Sequence, residues 1–193
     1  SMSDFSPEVV IHMAAQPLVR LSYADPVLTF GSNVMGTVHL LDALRRHAKP
    51  KAIVVVTSDK VYENDGSGLA HQEGDRLGGH DPYSASKACS DHFVRAYGET
   101  FDLPYIISNC SNNYGSHQFP EKLIPLFINN IINKKSLPVY GDGNYTRDWL
   151  YVEDHAKAID LIFHRGINGE TFNIGGFNER KNIDLVRELC RQM

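Results

Sequence analysis

The sequence is poor in several of the features that mark specialised proteins. Its 193 residues include only three cysteines, Cys89, Cys110 and Cys190. An odd number without metal-ligand spacing argues against a disulfide framework and predicts a reducing, cytoplasmic setting. No apolar run approaches the roughly 18 residues that a membrane span needs, and the longest, residues 52–56, is strand-length. Positive charge is not in excess: 19 Lys and Arg against 23 Asp and Glu leave a formal charge of −4, without the footprint of a nucleic-acid binder. The nine histidines include no His-Glu-x-x-His pair, so no metal site is expected. Ser84 and Ser86 have no histidine at a motif-like spacing, which disfavours a serine hydrolase. The opening Ser-Met-Ser has neither a basic nor an apolar stretch and does not read as a signal peptide. What is present, 42% hydrophobic and 22% charged residues, describes an ordinary globular chain able to bury a sizeable core.

The order of patterns along that chain is informative. Residues 9–15 (VVIHMAA) and 51–58 (KAIVVVTS) are continuous apolar runs of the kind found in strands buried on both faces of a parallel sheet, and 104–110 (PYIISNC) reads as a third buried strand. Between them lie two helical patterns. One covers 27–46, with Val27, Phe30, Val34, Val38, Leu41 and Leu44 on one face; the other covers 83–101 and follows Pro82. Strand and helix alternating in this rhythm predict an α/β fold built from βαβ units. Residues 63–82 lack any period and read as a long loop. Farther on, the pattern predicts helices at 121–133, 152–164 and from about 183, with short strands at 137–140 and 171–174. We expect a dinucleotide-binding part over residues 1–115 and a smaller lobe over 116–193, interleaved with the first.

The sharpest constellation is Tyr83-Ser-Ala-Ser-Lys87. Four residues apart on a helix, a phenol and an ammonium share one face, and the cation favours the ionised phenol, which then serves as acid or base toward a hydroxyl. Tyr-x-x-x-Lys alone also arises by chance on surface helices. Position strengthens the functional reading: the strand at 51–58 ends in Thr57-Ser58-Asp59-Lys60, and open parallel sheets bind ligands beyond the carboxyl ends of their strands. Ser and Asp are equally common helix caps there. Ala14 and Ala15, ending the strand at 9–15, leave room for a flat ligand or for helix packing.

With these residues in view, the chain resembles the extended short-chain dehydrogenase/reductase family, on the His-Met-Ala-Ala at 12–15, the Asn-Val-Met-Gly-Thr at 33–37, Ser58 and Tyr83-x-x-x-Lys87. Within it the chain is similar to the nucleotide-sugar 4,6-dehydratases. NCSNNYG at 109–115, FPEKLIP at 119–125, LPVYGDG at 137–143, RDWLYVED at 147–154 and TFNIGG at 171–176 look like the dTDP-glucose enzymes. The resemblance implies a Rossmann-like parallel sheet, NAD as cofactor, a nucleoside-diphosphate glucose as substrate, and a homodimer built through the helices near 27–46 and 83–101. It implies that Tyr83 takes the sugar 4-hydroxyl proton, that Lys87 lowers the tyrosine's pKa and holds the nicotinamide ribose, that Ser58 bonds the sugar, and that Asp59 protonates the departing C6 hydroxyl. Met13, Ala14, Ala15, Gln16, Ser32 and Asn113 match cofactor contacts, and Asn112, Lys122, Leu123, Pro138, Tyr140, Arg147 and Asn182 match substrate contacts. Lys122 and Arg147 suit a diphosphate.

Two departures qualify the resemblance. Where the dTDP-glucose enzymes carry a glutamate as C5 base, this chain has Lys60, and Ser-Asp-Lys is similar to the CDP-glucose 4,6-dehydratases, as are residues 12–20, 58–64 and 78–84. A lysine acts as a base only when desolvation or a neighbouring cation lowers its pKa. The base of the nucleotide therefore stays open between thymine and cytosine. The glycine-rich turn expected between a first strand and first helix is also absent, since no Gly-x-x-Gly-x-x-Gly occurs, as is the acidic residue expected after a second strand. The expectation is an N-terminally truncated dehydratase with an unpaired sheet edge. The alternative is a non-catalytic domain that binds a sugar nucleotide or a partner.

Overall fold

In a computed structural model, described over residues 2–64 and 66–193, the apolar runs become strands and the periodic stretches become helices. The strands are β1 (Val9–His12), β2 (Ala52–Val56), β3 (Tyr105–Cys110), β4 (Asn112–Tyr114), β5 (Thr146–Tyr151), β6 (Thr171–Ile174) and β7 (Glu179–Lys181). The helices are α1 (Met2–Phe5), α2 (Val19–Ala24), α3 (Pro26–Phe30), α4 (Gly36–His47), α5 (Pro82–Phe101), α6 (Leu123–Ile132), α7 (Val152–Arg165) and α8 (Asn182–Gln192). A π-helical turn, Gly31–Met35, joins α3 to α4, so the helix expected at 27–46 runs on but with one loosened turn. Two compact units are present, one of residues 1–110 with 158–174 and one of residues 111–157 with 175–193.

The first unit is an α/β layer structure around a parallel sheet of order β1-β2-β3-β6. Successive side chains of a strand face opposite ways, and β2 buries both sets. Ile53 and Val55 pack with Leu41 and Leu44 of α4 and Val94 of α5, whereas Val54 packs with Ile106 and with Ile159 and Ile162 of α7. Two covered faces are the reason that β2 reads as an unbroken apolar run. β1 departs from that expectation: among the described residues it is an edge strand pairing β2 alone, and Val9 and Ile11 are 39% and 48% exposed. Asp25 and Asp81 cap α3 and α5, their carboxylates accepting from the Leu28 and Ser84 amides, and a proline occupies the first turn of each.

The loop at 63–81 is pinned at its base. The Glu63 amide donates to the Arg76 carbonyl at 2.9 Å, the Gly78 amide donates to the Val61 carbonyl at 2.8 Å, and the Tyr62 ring stacks on His71.

In the second unit β5 pairs β4 in parallel and β7 antiparallel. Phe127, Trp149, Leu150 and Val186 are buried. The strand expected at 137–140 does not form. Pro138 brings no amide donor, and the Val139 amide donates locally to the Leu137 carbonyl. The Asp148 carboxylate takes the Gly176 and Asn178 amides at 2.6 and 2.8 Å and so fixes the turn that leads to β7.

Candidate functional site

The carboxyl end of β2 passes into a 3-10 turn, Asp59–Val61, and Ser58 caps it by accepting from the Lys60 amide. Ser58 Oγ donates to Asp59 Oδ1 at 3.0 Å. Tyr83 stands in the first turn of α5, near enough for the Ser58 hydroxyl to act on its phenol. The Lys60 ammonium lies 5.9 Å from the centre of the Tyr83 ring. One turn along α5, Lys87 is buried and its Nζ donates to the Val56 carbonyl at 3.2 Å. Five side chains singled out by their sequence pattern, Ser58, Asp59, Lys60, Tyr83 and Lys87, thus belong to one corner at the carboxyl end of the sheet.

The electrostatics of this corner differ from expectation. Burial pushes the Tyr83 phenol up to about 12, with the Cys110 thiol adding to the rise and the Ser58 hydroxyl opposing it. Lys87 was expected to lower the phenol, but its own pKa is lowered by burial, and its ammonium is directed to a backbone carbonyl. Desolvation penalises both charged forms. His12, at the end of β1, is likewise held below its usual value by burial and by the Lys87 charge, and its Nε2 bonds Thr37 Oγ1 at 3.1 Å.

Ala14, Ala15, Gln16 and Ser32 line a common open pocket with His12 and Gly36. Small side chains at 14 and 15 leave the backbone accessible there, which suits a flat nucleotide; Met13 beside them is 58% exposed. The Gln16 carboxamide is engaged within the chain, donating to Thr29 Oγ1 at 2.9 Å and accepting from the Leu18 amide. Asn33 is a hub that was not singled out as a site residue. Its Oδ1 accepts from the Gln16 amide at 2.7 Å and its Nδ2 donates to Ser86 Oγ at 2.9 Å, tying the loop after β1 to the Tyr83 helix.

The remaining candidates lie in the second unit. Asn112 and Asn113 are on β4, Lys122 and Leu123 start α6, Pro138 and Tyr140 are in the irregular stretch before β5, Arg147 is on β5, and Asn182 starts α8. Asn113 Oδ1 accepts from His155 at 2.8 Å, and burial holds His155 below its usual pKa, favouring the neutral ring. Tyr140 is exposed, and the Asn182 side-chain oxygen is buried without a hydrogen bond. Arg180, which the sequence reading passed over, is directly opposite Arg147 in the β5–β7 register. Like charges facing each other across a ladder repel, an arrangement suited to an anion.

Comparison with known proteins gives the same family as the motifs. The dTDP-glucose 4,6-dehydratase of Escherichia coli is 44% identical over 202 residues, covering 96% of this chain and 56% of that protein. The crystal structure of the dTDP-glucose 4,6-dehydratase DesIV from Streptomyces venezuelae, with NAD bound, is 40% identical with a TM-score of 0.91, over 95% of this chain and 56% of that one. A Bacillus anthracis dTDP-glucose 4,6-dehydratase in complex with NAD is 41% identical with a TM-score of 0.83, over the same shares of the two chains. The chain spans about half the length of the curated relatives it matches. The family model described as GDP-mannose 4,6 dehydratase matches residues 1–193, and the chain belongs to that family.

Proposed function

We propose that this chain carries the catalytic corner of an NAD-dependent nucleoside-diphosphate-glucose 4,6-dehydratase, with dTDP-glucose as substrate. The observation that carries the reading is the clustering of Ser58, Asp59, Lys60, Tyr83 and Lys87 at the carboxyl end of a parallel sheet. The names of the relatives support both the reaction and the nucleotide.

In this reading bound NAD supplies an acceptor that takes a hydride from C4 and returns it to C6, so the net change is loss of one water. Tyr83, as phenolate, accepts the proton of the 4-hydroxyl while Ser58 bonds that oxygen. The resulting ketone acidifies C5, Lys60 removes the C5 proton, and Asp59 donates a proton to the C6 hydroxyl as it leaves. Lys87, with Ala14, Ala15, Gln16 and Ser32 around the neighbouring pocket, would hold the cofactor, and the family resemblance adds Asn113 to its contacts. Asn112, Lys122, Leu123, Pro138, Tyr140, Arg147 and Asn182 would hold the sugar nucleotide, with Lys122 and Arg147 on its diphosphate. Three free thiols support a cytoplasmic location, and no helix among the described residues is long and apolar enough to cross a membrane.

Calorimetric titration with NAD, followed by incubation with dTDP-glucose and with CDP-glucose, tests the proposal. We expect micromolar NAD binding and a sugar nucleotide lighter by one water in the mass spectrum, formed faster from the thymidine compound. Binding of the sugar nucleotide without NAD binding or water loss would replace this reading with that of a non-catalytic binding domain.

A further inference from the structure

The segment that carries Ser58, Asp59 and Lys60 is too short to hold itself. Its 3-10 turn rests on two backbone bonds, Val61 amide to Ser58 carbonyl at 3.1 Å and Tyr62 amide to Asp59 carbonyl at 3.4 Å. Short 3-10 turns have poor hydrogen-bond geometry and depend on what flanks them. Here both flanks meet one side chain. Asn109 lies on β3, 2% exposed, and its Oδ1 accepts from the hydroxyl of Thr57, the residue before Ser58. Its Nδ2 donates at 2.9 Å to the hydroxyl of Tyr62, the residue after the turn. That hydroxyl in turn donates to Asn173 Oδ1 on β6 at 2.7 Å. Asn173 then reaches the long loop, its Nδ2 donating to the His71 carbonyl at 3.1 Å and its amide to Glu73 Oε1 at 2.9 Å.

A carboxamide is well suited to this place because it offers an acceptor and a donor in one rigid plane. Thr57 and Tyr62 are both buried, so an apolar residue at 109 would take from each hydroxyl the partner that links the two, leaving Tyr62 only its bond to Asn173 and Thr57 only the Ser108 carbonyl at 3.5 Å, and an aspartate would remove the donor. We propose that Asn109 is a positioning residue that clamps residues 57 and 62 together and thereby holds Ser58, Asp59 and Lys60 against Tyr83. The inference rests on the reading that this turn is catalytic. Asn109 itself touches no reacting atom in that reading and acts through Thr57 and Tyr62.

The test uses Thr57→Val and Tyr62→Phe, each removing one hydroxyl with little change of shape, and Thr57→Ser, which keeps the hydroxyl while losing a methyl. Amide exchange at Lys60 and Val61, read by NMR in the full chain, is expected to speed up about five- to tenfold in the first two variants relative to the amides of β2, and to stay at the parent rate in Thr57→Ser. Turnover should fall in Thr57→Val and Tyr62→Phe, with KM for the sugar nucleotide within about twofold of the parent, and recover in Thr57→Ser. Unchanged exchange at Lys60 and Val61 would overturn the clamp. Faster exchange with full turnover would overturn the positioning role. A parent protein without dehydratase activity would count against the catalytic reading, while the exchange contrast would still decide the clamp.

Discussion

In the proposed reaction Tyr83 takes the 4-hydroxyl proton, and its environment then sets a pH dependence. Burial pushes the phenol up to about 12, so near neutrality it carries its proton. A step that needs the phenolate then gains about tenfold per pH unit on the alkaline side. Presteady-state rates of C4 oxidation should therefore rise from neutrality toward the stability limit, and Tyr83→Phe should abolish that rise along with turnover. Lys60 is separable from this. If it takes the C5 proton, Lys60→Met should suppress exchange of the C5 hydrogen with deuterated solvent by at least about a hundredfold, in line with loss of a general base, and leave C4 oxidation detectable. Unchanged exchange, read by mass spectrometry, would remove Lys60 from that role. The candidates themselves are legible in the sequence: Ser58 stands out by its strand-end position, and Tyr83 and Lys87 by their spacing. The direction of the tyrosine's shift was not legible, because desolvation depends on what closes over the phenol, and the spacing of Tyr83 and Lys87 says nothing of that.

At the scale of elements, close contacts explain which side chains are tolerated. Gly98 lies in the interior of α5, where alanine ordinarily stabilises a helix by about 1 kcal/mol. A Cβ there would run into the ring of Tyr105, which is 5% exposed on β3 and cannot move away freely. Gly98→Ala is therefore expected to destabilise the protein by about 1–3 kcal/mol, the cost of overpacking, measured as a lower urea midpoint at unchanged slope. Asp148 holds the entry to β7. Burial pushes its carboxyl up, but the hydrogen bonds from the Asn178 and Gly176 amides outweigh that and leave it below its usual 3.8. A carboxyl lowered on folding contributes stability that is complete above its unfolded value and is lost as pH falls through the folded one. Asp148→Asn should consequently melt below the parent at pH 7, with the gap closing as the pH drops below about 4; a gap independent of pH would contradict this. β7 itself, Glu-Arg-Lys, has no apolar residue and gave no period to read, and β4 is only three residues long. Their pairing with β5 comes from tertiary contacts.

At the scale of the whole molecule, the apolar surface left open on the first unit bears on assembly. Val27 is 80% exposed, and Phe30, Phe93 and Phe101 on α3 and α5 are between 37% and 42% exposed. Exposed apolar side chains on α3 and α5, the helices through which the family resemblance implies a homodimer, give that expectation a test. Sedimentation equilibrium of the parent should give twice the chain mass, and a Val27→Asp, Phe93→Asp double variant should give the monomer mass with an unchanged far-UV spectrum. A monomeric parent would refute the dimer.

The sequence by itself determined the parallel sheet, because a strand such as β2, with helices covering both of its faces, is apolar throughout. It determined the family too, because its ordered motifs run the length of the chain. It also singled out a candidate site at a strand end, where Ser58, Asp59 and Lys60 follow an apolar run. Only the tertiary structure decided how those residues are held. Asn109 reads as one more residue of a buried strand until Thr57 and Tyr62 are brought to the two ends of its carboxamide. Tyr83 and Lys87 share a helix face by spacing alone, yet the phenol rises and the ammonium turns to Val56, since burial and hydrogen-bond partners belong to the surroundings and not to the helix.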